Sequence, residues 1–323
     1  MSTPTLADPD PTVAQAPTPG HAPVAVMAYR RPQHLDATLQ ALLLCPEAAD
    51  SDIHVFVDGP KGEADRAEVQ ATRDVARRLL GERATYHFAQ TNQGLARSII
   101  GAVTSLSAAY GRVIVLEDDI VVAPITLTYL NAALARYQDD PRVMQVSAHM
   151  FDNVPWADGD PALMLPFTTS WGWATWERAW RQFDPLAIGW EGLATDKALR
   201  RSFNLSGVYD FASMLERQMR GLRDSWAIRW YWSVYRAGGM VLYPPRSLVS
   251  NTGFDGSGTH GRALLRRFGS DGSSPAAPPA LPRWPELVQV NDADMRAVCR
   301  AIRKSNGGWT GWLVDRLRHL IGR

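Results

Sequence analysis

Thiol chemistry is nearly absent from this 323-residue chain: it holds two cysteines, Cys45 and Cys299, far apart and without CxxC spacing. That excludes a disulfide framework and a thiolate zinc site, and it fits a reducing compartment. An excess of one charge is also missing, since 34 Lys and Arg stand against 33 Asp and Glu for a formal net charge of +1. No global field draws the chain to nucleic acid or to an acidic partner, so binding has to come from a local site. No apolar run approaches bilayer length, and no basic segment followed by an apolar one opens the chain. The expectation is a protein neither secreted by an evident signal nor transmembrane, hence cytoplasmic. Several catalytic signatures are missing too. There is no GxGxxG after the first strand, no GxxxxGK[ST], no HExxH and no GxSxG, which removes the dehydrogenase, P-loop ATPase, metalloprotease and serine hydrolase classes.

What is present is 46% hydrophobic residues, enough for a substantial core. Residues 1–22 are rich in Pro, Thr and Ala and read as a disordered leader. From there strands and helices alternate. VAVMAY (24–29), IHVFVDG (53–59) and TYHFAQ (85–90) read as strands. Leu35, Leu39, Leu42 and Leu43 share one helical face after Pro32. Residues 63–80 form a solvated helix, and Leu95, Ile99, Val103 and Leu106 mark a third. A helix from Pro124 through Tyr137 and a strand at 143–149 complete the pattern. The fold class expected is α/β, a doubly wound and mostly parallel sheet of the nucleotide-binding type, over residues 23–150.

The fourth strand carries the chemistry. In RVIVLEDDIVVAP (112–124) an apolar run suited to burial on both faces is followed at once by Glu117, Asp118 and Asp119. Ligands in open α/β sheets bind outside the carboxyl ends of the strands, so these acids are a site hypothesis; a solvated turn is the alternative. A hard divalent cation, Mn²⁺ or Mg²⁺, is held by one or two carboxylates together with substrate phosphates. Acids at this place therefore suit a metal and the diphosphate of a nucleotide sugar, whose departing charge the metal would neutralise.

Beyond Met150 the periodicity weakens and tryptophan becomes frequent, with Trp171, Trp173, Trp176, Trp180, Trp190, Trp226, Trp230 and Trp232. Such residues serve a core, or they offer flat faces to sugar rings. Residues 151–269 read as the acceptor half. A late strand at 240–245 leads into the Gly- and Ser-rich loop NTGFDGSGTHG (251–261). Residues 270–285 read as a linker and 286–323 as C-terminal helices, one of them at 292–304. The basic, tryptophan-bearing tail WTGWLVDRLRHLIGR suits an anionic membrane surface or packing against the domain.

With these segments in hand, the chain resembles glycosyltransferases of the GT-A fold. Within them it is similar to the N-acetylglucosaminyltransferase I type and to bacterial glycosyltransferases of polysaccharide assembly. The likeness runs from Val24 to His260 and is carried by AYRRP, VDG, VIVLEDDIVVAP, TSWGWATWERAW, DSWAIRWYWSVY and NTGFDGSGTH. It implies a metal-dependent, inverting transfer of a hexosyl or N-acetylhexosaminyl group from a nucleotide-sugar donor to a glycan or lipid-linked acceptor. The setting it implies is surface polysaccharide synthesis at the inner face of the cytoplasmic membrane.

Carried over by residue, the resemblance implies Asp119 as metal ligand, with Glu117 and Asp118 near the donor ribose and sugar. Arg31 would approach the nucleotide or only balance surface charge; Asp58 would accept from the base ring or only shape its turn with Gly59. Asn92 and Gly94 line the donor pocket or make the turn. The loop from Gly253 to Gly261, with Gly256 and Ser257, would fold over the diphosphate, and His260 would contact metal or phosphate. Asp224 is the candidate general base, although it also suits a helix N-cap, and Asp255 and Glu191 stand in reserve. Trp171, Trp173 and Trp226 fall on the acceptor side. A sugar-phosphate nucleotidyltransferase shares the acidic α/β site but would carry a glycine-rich loop after its first strand, where Tyr29, Arg30, Arg31 and Pro32 have no glycine. A non-catalytic carbohydrate-binding protein would need the tryptophans alone.

Overall fold

The structure is a computed structural model, and it describes residues 20–253 and 280–305. The first half alternates as its sequence pattern predicts. Strand β1 (Val24–Ala28) is followed by α1 (Pro32–Leu43), β2 (Ile53–Val57), α2 (Arg66–Leu80), β3 (Ala84–Phe88), α3 (Leu95–Tyr110) and β4 (Arg112–Glu117). These strands are parallel and ordered β3-β2-β1-β4. Their parity explains the layers. Val24, Val26, Ile114 and Leu116 face one core with α1 and α2, whereas Ala25, Met27, Val113 and Val115 face a second core with α3.

The chain departs from the expected pattern immediately after the acids. Residues 120–122, read as the approach to a helix, form a short strand, β5 (Ile120–Val122), and α4 (Thr126–Arg136) starts only afterwards. The reason is non-local: β5 pairs antiparallel with β10 (Val249–Asn251), more than a hundred residues away in sequence.

The second half joins the same sheet. After β6 (Val143–Ser147), the last strand of the first half, it contributes β7 (Leu163–Leu165), β8 (Trp173–Trp176) and β9 (Met240–Tyr243), giving the eight-stranded order β3-β2-β1-β4-β8-β6-β9-β7. Strand β8 runs antiparallel to both β4 and β6 and separates them. Helices α5 (Glu177–Trp180), α6 (Gly192–Thr195), α7 (Lys197–Phe203), α8 (Phe211–Met219) and α9 (Trp226–Arg236) pack around it, and α10 (Asp292–Ser305) closes the described chain. That last helix buries Ala297, Val298, Ala301 and Ile302, as expected for 292–304.

The tryptophans are chiefly core. Trp176 donates to Leu134 O at 3.0 Å, Trp180 to Thr104 Oγ1 at 2.9 Å and Trp230 to Gln145 Oε1 at 2.7 Å, so these three buried indole N–H groups are satisfied, whereas that of Trp173 has no partner among the described residues. Trp173 is fully buried and stacks on Trp226, 3% exposed, with ring centroids 5.0 Å apart. Neither can present a face to a sugar, which corrects their assignment to the acceptor side: the apolar environment at the centre of the sheet consumes both rings. Trp171, two residues earlier, remains half-buried.

The segments at the margins are partly drawn in. Ala22 is buried and donates to Asn131 Oδ1 at 2.8 Å, while residues 1–19 of the expected leader lie outside the described residues. Leu281 and Trp284, within the stretch read as a linker, pack on the first core, with Trp284 stacked on Tyr129. Residues 306–323, which hold the basic tail, lie outside the described residues. Among the described residues no helix is long and apolar enough to cross a membrane. Because Trp173 is fully buried in the second core, Trp173→Ala is expected to cost about 3–5 kcal/mol in chemical denaturation; a loss below about 1 kcal/mol would show that the ring is dispensable to the core.

Candidate functional site

The three carboxylates fall at the carboxyl end of β4 and in the turn that leads to β5. What holds them is the first turn of α1. Arg31 occupies the N-cap place of that helix but makes no capping bond, because a guanidinium carries only donors and cannot accept from the helix N–H groups. Its Nη2 donates to Asp118 Oδ1 and, at 2.8 Å, to Asp119 Oδ2. Thr38 of α1 donates to the Asp118 carbonyl at 2.7 Å, and the Tyr29 N–H reaches Asp118 Oδ2 at 3.4 Å. Neighbouring groups fix the AYRRP segment itself: the Tyr29 hydroxyl donates to Asp65 Oδ2 at 2.6 Å and Arg30 bonds Asp65 Oδ1 at 2.8 Å.

This is a dry, acidic corner. Asp118 is 4% exposed, and burial pushes its carboxyl above the usual range against the opposing pull of Arg31. Burial, and then the charges of Asp119 and Asp118, push Glu117 well above that range as well. The short β5–β10 pairing brings the glycine-loop segment onto the acids. Thr252 donates its N–H to the Asp119 carbonyl at 2.9 Å and its hydroxyl at 3.2 Å. Gly253 follows, and a Cβ there would stand 2.1 Å from Asp119 Oδ2 and 3.0 Å from Arg31 Nη1. A larger residue here would displace the Asp119 carboxylate or the Arg31 guanidinium, a constraint that the loop's composition does not reveal.

A second cluster lies where β2 and β3 end. Asp58 accepts from Gly59 N and Gln93 N at 2.8 Å on one oxygen, and from Asn92 Nδ2 and Gly94 N at 2.9 Å on the other. Its carboxylate is thus the tie that shapes the 91–94 loop. Gly59 is needed beneath it, since a Cβ would lie 2.4 Å from the backbone of Thr91. Gly94, with φ of 84°, starts α3, and Asp224 Oδ2 stands 3.2 Å from where its Cβ would be. The structure therefore brings Asp58, Asn92, Gly94 and Asp224 together. Asp224 is 60% exposed and lies 4.0 Å from the Arg229 guanidinium. It is not the N-cap of α9; that residue is Ser225, which makes no side-chain capping bond.

Glu191 is exposed at the start of α6. Asp255, Gly256, Ser257 and His260 lie outside the described residues. Sequence reasoning missed His149, which follows β6 at the same edge of the sheet. It is 5% exposed, its ring meets Trp171 edge-on at 4.5 Å, and its Nδ1 has no hydrogen-bond partner among the described residues. Burial holds its pKa down at about 3.

The acid pair fits a hard divalent cation. One guanidinium nitrogen bonds both carboxylates, so their oxygens converge where a cation already stands. Among the described residues no group of three His, Cys, Asp or Glu side chains could hold a metal, so further ligands would have to be water or substrate oxygens.

No protein-family model matches the sequence, and no curated protein matches it. Among solved structures, the chain is similar to GalNAc-T7 with UDP, GalNAc and Mn²⁺, at 11% identity and a TM-score of 0.44 over 72% of this chain and 44% of that one. It is also similar to S. aureus TarS 1-349, at 12% identity and 0.38 over 70% and 59%. A third is the mannosyltransferase PcManGT from Pyrobaculum calidifontis in complex with GDP-Man and Mn²⁺, at 13% identity and 0.36 over 71% and 72%. The chain thus spans less than two thirds of the first two.

Two expectations follow. Asp58→Ala leaves four donors unmatched and is expected to destabilise the fold by about 3 kcal/mol, read by urea denaturation, with proteolysis opening first near residues 91–94. His149 and His54, whose pKa burial and then His87 lower to about 4, are neutral in the fold but take up protons near pH 6.5 once unfolded. The unfolded chain therefore binds more protons below pH 6.5, and stability is expected to fall as pH drops from there toward 4. His149→Phe should flatten that decline by up to about 1.4 kcal/mol per pH unit; an unchanged slope would show that His149 is not kept neutral.

Proposed function

We propose that the chain is a GT-A-type glycosyltransferase that moves a sugar from a nucleotide-sugar donor to a glycan or lipid-linked acceptor with a divalent cation, Mn²⁺ or Mg²⁺. The observation that carries this reading is the convergence of Asp118 and Asp119 on a single guanidinium nitrogen at the carboxyl end of β4. Anions and the cations that accompany them bind at such strand ends in α/β sheets. When bound, the cation supplies Lewis-acid neutralisation of the departing diphosphate.

Within that reading, Asp118 and Asp119 would hold the cation, with the half-buried Glu117 beside them. Arg31 offers its remaining donors to phosphate oxygens. Gly253 lets the backbone run directly over this corner. Asp224 is the base: its exposed carboxylate takes the proton from the acceptor hydroxyl as that oxygen attacks the anomeric carbon from the face opposite the diphosphate. The carbon–oxygen bond to the diphosphate then breaks with inversion. A role in surface polysaccharide or glycoconjugate synthesis at the inner membrane face, with the 307–323 tail as peripheral contact, belongs to the same proposal.

The test is a screen of nucleotide sugars for release of nucleoside diphosphate with and without Mn²⁺. Turnover is expected with Mn²⁺, with a loss of at least about 100-fold in Asp119→Ala. Asp224→Asn is expected to lower kcat by about 100-fold or more while the donor KM changes little. Turnover unchanged in Asp119→Ala would sink the metal site, and no turnover of any donor in the parent chain would favour a binding protein.

A further inference from the structure

We propose that Arg31 is an internal counter-ion for the Asp118–Asp119 pair, so that the pair takes up a divalent cation well only when a diphosphate arrives to receive the guanidinium. This rests on the transferase reading for the location of the metal, and goes beyond it by making metal and donor binding depend on each other.

The arrangement around Arg31 is not that of a satisfied structural ion pair. Nη2 serves both carboxylates, while the buried Nη1 has no hydrogen-bond partner among the described residues. Half of the fork is in use, and the unused nitrogen stands beside Gly253, next to Asp119. The position of the charge is also unusual. A cation at the amino end of a 12-residue helix opposes the helix dipole, where an anion is favoured. The carboxylates hold it there, and an incoming diphosphate would satisfy both the helix end and the unused Nη1.

A divalent cation has to contend with this arrangement. The two carboxylates are the protein ligands at hand, because no cluster of three metal-binding side chains exists among the described residues. Each already bonds Arg31, whose charge is permanent at any ordinary pH. The cation alone would therefore meet a positive group at the point where its ligands converge. The backbone that carries the pair is fixed: Thr252 ties the Asp119 carbonyl, Thr38 ties that of Asp118, and Gly253 lies close against Asp119, where an added Cβ would fall 2.1 Å from Oδ2. A diphosphate relieves the conflict by drawing the guanidinium toward its own oxygens and adding ligands to the metal. Each ligand then strengthens the other's binding by the same factor, as linkage requires.

The direct test measures free Mn²⁺ by electron paramagnetic resonance as the full chain is added, without any nucleotide. Arg31→Gln is expected to bind Mn²⁺ alone at least about tenfold more tightly than the parent, and adding Asp119→Asn should remove that gain. A structural role for Arg31 would lower stability without raising metal affinity. Affinity in Arg31→Gln equal to or below that of the parent, or a gain that survives Asp119→Asn, overturns the proposal. A second measurement needs no variant: the melting temperature of the parent with Mn²⁺, with inorganic pyrophosphate, and with both. The rise with both should exceed the sum of the separate rises, and additive rises overturn the proposal. Additive rises in a chain that still turns over a nucleotide sugar remove the counter-ion role alone. Mutual reinforcement in a chain that turns over none removes the transferase reading alone.

Discussion

The insertion of β8 between β4 and β6 is the constraint on which the rest of the molecule depends. A parallel strand next to β4 would have continued the first half as an ordinary doubly wound sheet. Instead the antiparallel β8 joins β3-β2-β1-β4 on one side to β6-β9-β7 on the other, and its alternating residues serve both faces. Ala174 and Trp176 enter the core shared with α1, α2 and α4, while Trp173 enters the core shared with α3, α9 and α10. The two halves therefore share both cores. The carboxyl ends of β4 and β6 then open on the same edge, where the acids and His149 sit.

That edge explains how distant segments meet. The acids come from the end of β4, their counter-charge from the start of α1, and their cover from the end of β10. A three-residue ladder between β5 and β10 is enough to set the register, because Asn251 opposite Ile120 leaves Thr252 and Gly253 directly over Asp119. At the neighbouring strand ends one carboxylate, Asp58, organises a loop through four hydrogen bonds, and the loop in turn meets Asp224.

Most of the first half was legible because its signals are local. The period of Leu35, Leu39 and Leu42, the apolar run 113–116 and the acids after it each report their own element, and the structure agrees within one to three residues. The late strand and the helix at 292–305 were legible for the same reason. What stayed hidden was set by partners far along the chain. Nothing within residues 120–122 reveals a strand whose mate lies at 249–251, and nothing in TSWGWATW distinguishes a central strand from a sugar-facing segment. Trp173 and Trp226 are hidden for that reason, since burial depends on where β8 is placed. At the site, the acids and Arg31 were recognisable as residue types, whereas their mutual bonding, the tightness at Gly253 and the orphaned ring nitrogen of His149 depend on three-dimensional proximity.

The place of β8 in the sheet also bears on how the chain must be made. As synthesis proceeds from the amino end, β1 to β4 can pair as soon as they emerge, but the far edge of β4 has no mate until residues 118–172 have followed. During that interval Val113, Ile114, Val115 and Leu116 present an apolar strand with open backbone hydrogen-bonding groups, the kind of edge that recruits other chains. Truncations that end before Trp176 would leave the edge permanently open. A fragment meant to isolate the acid-bearing half would thus be prone to aggregate, and β8 acts as the stopper that the growing chain supplies last to its own most exposed seam.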